Sequence, residues 1–157
     1  MIIAGFIILN IAQENEEIIN NEIIQENAQN QVAESNNKEG AKSMKVIMNN
    51  KEYEVELDNN DTTNDILSNV PFDLNIQRYA DNEYYGELSF KPKNTEGNSE
   101  IQAGHIYYWD GWNAFVLNFE DRNIAPYKVV HIGEVKDKTI IDLLKNSEEN
   151  ISVKVTE

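Results

Sequence analysis

The chain has 157 residues, with 28 acidic against 13 basic side chains and a formal charge of −15, a length that suits one hydrophobic core rather than two. A field of that sign repels phosphate, so nucleic acid and anionic membrane surfaces are poor partners. There is no cysteine, which excludes disulfides, thiolate metal sites and cysteine nucleophiles in any compartment.

Asparagine occurs 23 times, and Arg78 and Arg122 are the only arginines beside eleven lysines. Such a bias is expected of an A+T-rich, bacterial genome and carries no information about mechanism.

Residues 1–12 are apolar except at Gly5 and Asn10. A membrane-spanning helix needs about 20 apolar residues and the core of a signal peptide roughly 7 to 15. The run therefore predicts an export leader and an extracellular or cell-surface protein, with no stable membrane span. Its basic flank is missing, which leaves open a longer leader with lysines upstream, or a buried strand or helix in a cytoplasmic protein. Residues 13–43 are rich in Glu, Asn and Gln, with Ile18, Ile19, Ile23, Ile24 and Val32 as the branched apolar residues. Such a tract buries too little surface to offset its ordering entropy and is predicted to be an acidic spacer. A short partner helix is the alternative, because Ile19 and Ile23 fall on one helical face.

From Met44 to Glu157 the pattern changes to short strands separated by turn residues. Lys45 to Met48 and Tyr53 to Leu57 flank Asn49 and Asn50, a hairpin signal because asparagine tolerates positive φ in tight turns. Thr62 or Thr63 is predicted to cap a short helix that runs to Val70 and stops before Pro71. Phe72, Leu74 and Ile76 alternate, as do Leu88 and Phe90, each set predicting a half-buried strand. Residues 92–99 form a loop. The strongest hairpin runs from Ile106 to Trp109, turns around Asp110 and Gly111, and returns over Ala114 to Phe119. A strand over Val129 to Val135, a short helix over Thr139 to Leu144 and a closing strand over Ile151 to Val155 complete the domain. Seven or eight short strands with two short helices predict a mainly β, closed barrel, which leaves no exposed edges; a sandwich is the alternative.

The runs Gly86-Glu87-Leu88-Ser89-Phe90, Ala103-Gly104-His105-Ile106-Tyr107-Tyr108-Trp109, Phe115-Val116-Leu117-Asn118-Phe119 and Ile132-Gly133-Glu134-Val135 resemble, in that order and spacing, the cyclophilin-like domain of small bacterial proteins. The resemblance covers 44–157 and implies a barrel that begins with a strand-turn-strand and continues with a short helix. Members of that family are mostly of unassigned function. His105 departs from the family's pattern, in which an aspartate is common after the glycine, and so puts any role of that carboxylate in doubt. True cyclophilins isomerise prolyl bonds with an arginine beside an apolar pocket, lowering a barrier of about 18 to 20 kcal/mol by withdrawing the amide's conjugation. No Phe-His-Arg run followed by Pro-Gly-Phe occurs here. Were the chain an isomerase, Arg78 or Arg122 would supply the guanidinium; the plainer reading of Arg78 is a surface side chain paired with a carboxylate.

Aromatic residues crowd the middle of the domain. Alternation puts Tyr107 and Trp109 on one face and Tyr108 on the other; Tyr107 and Trp109 are read as core, with ligand contact as the alternative, and Trp112 as the more exposed ring. Tyr85, Glu87, Tyr108, Trp109, Trp112 and Tyr127 are the candidate ligand-binding residues. His105 and His131 alone do not make a zinc site, which usually takes three protein ligands; Glu87 or Glu134 would have to add the third, and no short metal motif connects them. Neither a nucleophile elbow nor a phosphate loop occurs, so the sequence points to no cofactor and no metal. The combined reading is an exported, non-catalytic barrel that binds a peptide or small ligand in an aromatic cleft. A weak peptidyl-prolyl isomerase and a structural interaction module at the cell surface are the alternatives. Expression of the full chain with a C-terminal tag tests the leader: export predicts secreted protein lacking the first dozen or so residues, whereas an intact N-terminus retained in the cytosol refutes it.

Overall fold

The computed structural model describes residues 43–157; the expected leader, spacer and helix around Ile19 and Ile23 lie outside the described residues. Ten strands and two α-helices follow in the order β1 (Met44–Met48), β2 (Lys51–Leu57), α1 (Asp61–Leu67), β3 (Phe72–Tyr79), β4 (Glu83–Glu87), β5 (Glu100–Ile101), β6 (His105–Trp109), β7 (Ala114–Asn118), β8 (Arg122–Asn123), β9 (Val130–Val135), α2 (Thr139–Asn146) and β10 (Asn150–Thr156). Eight strands close into an antiparallel barrel in the order β1-β10-β3-β4-β7-β6-β9-β2, and β5 and β8 form a separate two-stranded ribbon. The barrel, not the sandwich, is the architecture.

Local chemistry accounts for most joints. Asn49 and Asn50 both adopt positive φ, 50° and 64°, so a two-residue turn joins β1 to β2 with Met48 facing Lys51. The cap of α1 is Asn60, not Thr62 or Thr63: its extended backbone turns the side-chain oxygen onto the Thr63 amide at 2.9 Å. Both threonines are instead buried within the helix, where the Thr62 hydroxyl donates to the Lys93 carbonyl at 2.6 Å. Leu88 and Phe90 do not form the expected strand, which ends at Glu87. The Asn113 amide takes the Leu88 and Phe90 carbonyls at 2.8 and 2.9 Å, binding backbone that a neighbouring strand would otherwise pair.

The core fills the barrel. Met44, Val46 and Met48 of β1 pack there with Tyr53 and Val55 of β2, Ile106 and Tyr108 of β6, Phe115 and Leu117 of β7 and Val153 and Val155 of β10; Ile66 of α1 and Ile140 and Leu144 of α2 join the same cluster. Strand alternation is broken once, in β9. Ile106 faces Gly133 and Tyr107 faces His131, so Ile132 is an extra residue with no partner on β6. Residues on either side of the bulge are then in opposite phase: Val130 and Ile132 point inward, as does Val135. Counted from the Ile106 and Gly133 pair, unbroken alternation would have sent Ile132 outward and His131 into the core. Gly133 also lets β2 approach, since a Cβ there would stand 2.3 Å from the Glu56 carbonyl oxygen.

Among the described residues Arg78 pairs with no carboxylate. One guanidinium nitrogen donates to the carbonyls of Leu144, Lys145 and Ser147 at 2.6, 3.1 and 3.1 Å, satisfying the C-terminal end of α2. The same group lies 4.7 Å from the Tyr84 ring centre and 4.9 Å from that of Phe119, and the Tyr84 hydroxyl donates to the Glu148 carbonyl at 2.7 Å. That nitrogen is thus committed to the scaffold, and the guanidinium is held against two rings. No helix among the described residues is long and apolar enough to cross a membrane. Replacement of Arg78 by alanine is expected to lower the unfolding free energy by about 2 to 3 kcal/mol, because charge-assisted bonds are lost and helix carbonyls are left without a donor. Urea unfolding measures this, and Arg78→Lys should recover only part of the loss because an ammonium lacks the planar fork.

Candidate functional site

On β6 and β7, Ile106, Tyr108, Phe115 and Leu117 belong to the core, so Tyr107, Trp109, Ala114 and Val116 face outward. The expectation that Tyr107 and Trp109 are barrel core is therefore reversed. Tyr107 is nevertheless buried, because the β5 and β8 ribbon lies over it: Ile101, Tyr107, Ala114, Val116 and Val129 form a second, smaller apolar cluster, with Tyr85, Trp109 and Ile124 packed on it. Tyr108 is in the core, its hydroxyl donating to the Asn113 side-chain oxygen at 3.0 Å. It carries no exposed surface to offer a ligand.

Beyond that small cluster the rings continue onto the surface. Trp112 lies in the 3₁₀ turn of residues 110–112, which ends at Asn113 with φ of 49°. From Trp112 the ring centres of Trp109, Tyr85 and Tyr79 stand 4.2, 5.0 and 5.3 Å away, and Tyr127 lies 6.2 Å beyond Trp109. Tyr79, Trp112 and Tyr127 are 48, 41 and 63% exposed, the large apolar side chains left most open to solvent among the described residues. A shallow cleft of about 560 Å³ runs alongside, lined by Tyr85, Glu87, Lys91, Asp110, Gly111, Trp112 and Asn113; Lys91 is ion-paired to Asp110 at 2.5 Å.

Of the residues singled out in the sequence, Tyr85, Trp109, Trp112 and Tyr127 thus form one contiguous surface, with Glu87 at its border. Tyr79 belongs to the same surface and was missed; the alternation that continues from Phe72 through Ile76 to Arg78 places Tyr79 on the opposite, outer phase of β3, which was the available signal. Arg122 is exposed and ion-paired to Asp81. A larger open cleft of about 1040 Å³ lies on the outer side of β1, β3 and β10, between Asn49, Asp73, Ser147 and Lys154 among others, but brings together none of the sequence candidates.

Next to the aromatic surface the same barrel face carries a polar row. Because Ile106 faces Leu117, His105 stands opposite Asn118, which in turn faces Glu83; the Gly104 amide donates to the Asn118 carbonyl at 2.8 Å. The Asn118 side chain is buried and neither its amide nitrogen nor its oxygen has a partner among the described residues. Burial raises the Glu83 carboxyl above its ordinary value, against a bond from the Asn82 amide. The β9 bulge brings the two histidines together: His105 Nδ1 is 2.9 Å from His131 Nε2, and His131 Nδ1 is 2.7 Å from the Asp58 carboxylate. Glu134, one possible third metal ligand, stands 3.9 Å from His105 Nε2; Glu87 is placed at the aromatic cleft instead. No group of three or more His, Cys, Asp or Glu suited to a metal occurs among the described residues.

Residues 46–156 match the model of the Cyclophilin-like family, and the chain belongs to that family. A hypothetical protein from Archaeoglobus fulgidus has a similar structure, with a TM-score of 0.58 and 23% identity over 76% of this chain and 98% of that one. McbB in complex with tryptophan superposes with a TM-score of 0.50 and 11% identity over 73% of this chain, which spans only 44% of McbB. At these identities the likeness speaks for the fold alone. No curated protein matches the sequence.

Burial first, and the adjacent His131 second, hold the His105 imidazole below its ordinary value of 6.5. The unfolded chain takes up a proton there before the folded one does, so the stability that His105 contributes is complete above about pH 6.5 and is lost as pH falls towards the depressed folded value. Urea unfolding at about pH 7.5 and about pH 5.5 should show the wild type losing stability on acidification, and His105→Gln losing less. Equal pH dependence in the two proteins would contradict the assignment.

Proposed function

We propose that this cyclophilin-like domain is a non-catalytic binding module that takes a peptide or a small ligand on the outer aromatic surface. The observation that carries this reading is the unbroken contact of Tyr79, Tyr85, Trp112, Trp109 and Tyr127, with three of these rings substantially exposed. Rings held by one another and by the barrel offer contact area at small entropic cost. Glu87 and the chain's charge of −15 favour a neutral or basic peptide over an acidic one. Proline-bearing extended peptides dock on aromatic-lined grooves of this kind because they lose little freedom on binding.

Neither arginine lines the aromatic cleft: Arg78 caps the end of α2, and Arg122 is ion-paired to Asp81. The apolar run over 1–12 supports a site of action outside the cell.

Titration of the full chain with basic and proline-containing peptides, followed by tryptophan fluorescence, is expected to saturate, and Trp112→Ala should weaken binding by roughly tenfold or more. Failure of every peptide and small ligand to perturb the fluorescence would sink the proposal. A protease-coupled assay on the same X-Pro peptides is expected to show no rate above spontaneous isomerisation. A rate that Arg122→Ala removes would make the protein an isomerase instead.

A further inference from the structure

The histidine pair is built differently from the aromatic surface, and with both rings neutral its hydrogen bonds allow one placement of the protons. Ionised Asp58 can only accept, so the 2.7 Å contact requires a proton on His131 Nδ1. A neutral His131 then has a lone pair on Nε2, and the 2.9 Å contact with His105 is made only if His105 Nδ1 carries the proton. His105 Nε2 is left bare. Glu134 stands 3.9 Å from it, beyond hydrogen-bond reach, and is itself bound by Lys138. The groups that act electrostatically on His105 are His131 and Glu134 of β9, Lys138 before α2 and Asp121 after β7, while Asp58 after β2 acts through His131.

We propose that Asp58, His131 and His105 form a proton relay whose working end is His105 Nε2, a second site on this barrel that takes a proton from a weakly acidic O–H or N–H of a small ligand that reaches that nitrogen. The step is a simple transfer. The ligand's X–H bond breaks as the Nε2–H bond forms, and the electron pair stays on X. Asp58 stabilises the resulting imidazolium charge through His131, as a carboxylate behind a catalytic histidine does. Return of the proton releases the ligand unchanged, so the transfer is reversible and needs no oxidant, reductant or second reactant. The site does not depend on ligand binding at the aromatic cleft.

The tautomers are read directly from long-range ¹H–¹⁵N correlation spectra of the full chain near neutral pH. The expected result is Nδ1–H on both rings with His105 Nε2 unprotonated; Nε2–H on either ring overturns the relay. Diethyl pyrocarbonate, which acylates unprotonated imidazole nitrogen, supplies a second readout that needs no substrate. Acylation at His105 is expected, slowed roughly threefold to tenfold in Asp58→Asn because the carboxylate no longer supports positive charge on the pair. An unreactive His105, or an unchanged rate in an Asp58→Asn protein that retains wild-type circular dichroism, overturns it. So does a zinc titration that shifts both ring resonances at one equivalent, which would make the pair a metal site. Should Asp58→Asn fail to fold, the wild-type tautomers decide alone.

Discussion

One extra residue in β9 sets much of what this barrel can present. Gly133 has no side chain because the backbone of β2 passes within 2.3 Å of where its Cβ would be, and Ile132 beside it has no partner on β6. The inward set on β9 changes phase at this point, so that Ile132 reaches the core while His131 turns out beside Tyr107. A regular strand would have had to bury the imidazole. The bulge therefore satisfies two demands together: a filled interior and a histidine on the outer face within 2.9 Å of another. Bulges are placed near functional groups in many sheets for this reason.

A second constraint acts at α2. A helix of eight residues has too few internal bonds to hold itself together, and its last carbonyls point back at the barrel. Arg78 and Tyr84 receive them, with Phe119 stacked against the guanidinium. Positive charge sits where the helix dipole is negative, and the aromatic rings beneath keep water from competing. One of the two arginines that the sequence offered to an isomerase is thus engaged by the architecture. On the outer face, by contrast, the β5 and β8 ribbon covers only part of the sheet. Tyr107 and Val116 lie beneath it, while Tyr79, Trp112 and Tyr127 remain open.

The barrel, its strand-turn-strand opening and its family were legible in the sequence because alternation, the paired asparagines and the quoted runs all express one pattern. The errors arose where side chains outcompeted local propensity. Asn60 took the cap from Thr62 and Thr63 because its backbone was extended one residue before the helix. Asn113 took the Leu88 and Phe90 carbonyls across the fold, from a separation no local pattern encodes. The phase of β6 was open to either choice, since Ile106, Tyr107, Tyr108 and Trp109 are all apolar or amphipathic and only the ribbon's position decides how much of the outer phase is buried. The histidine pair was also invisible as a pair. Its residues lie 26 apart, and their meeting depends on the bulge, for which the one clue was a glycine inside a strand rich in β-branched residues.

Closure of the barrel has a consequence for how any partner engages it. Every strand of the ring has a neighbour on both sides, so the ring has no free edge strand. An incoming peptide cannot lengthen the ring in the manner of a ninth plank added to a fence; recognition there has to be written in side chains, and its selectivity will follow the identity of rings and carboxylates rather than the generic geometry of a backbone.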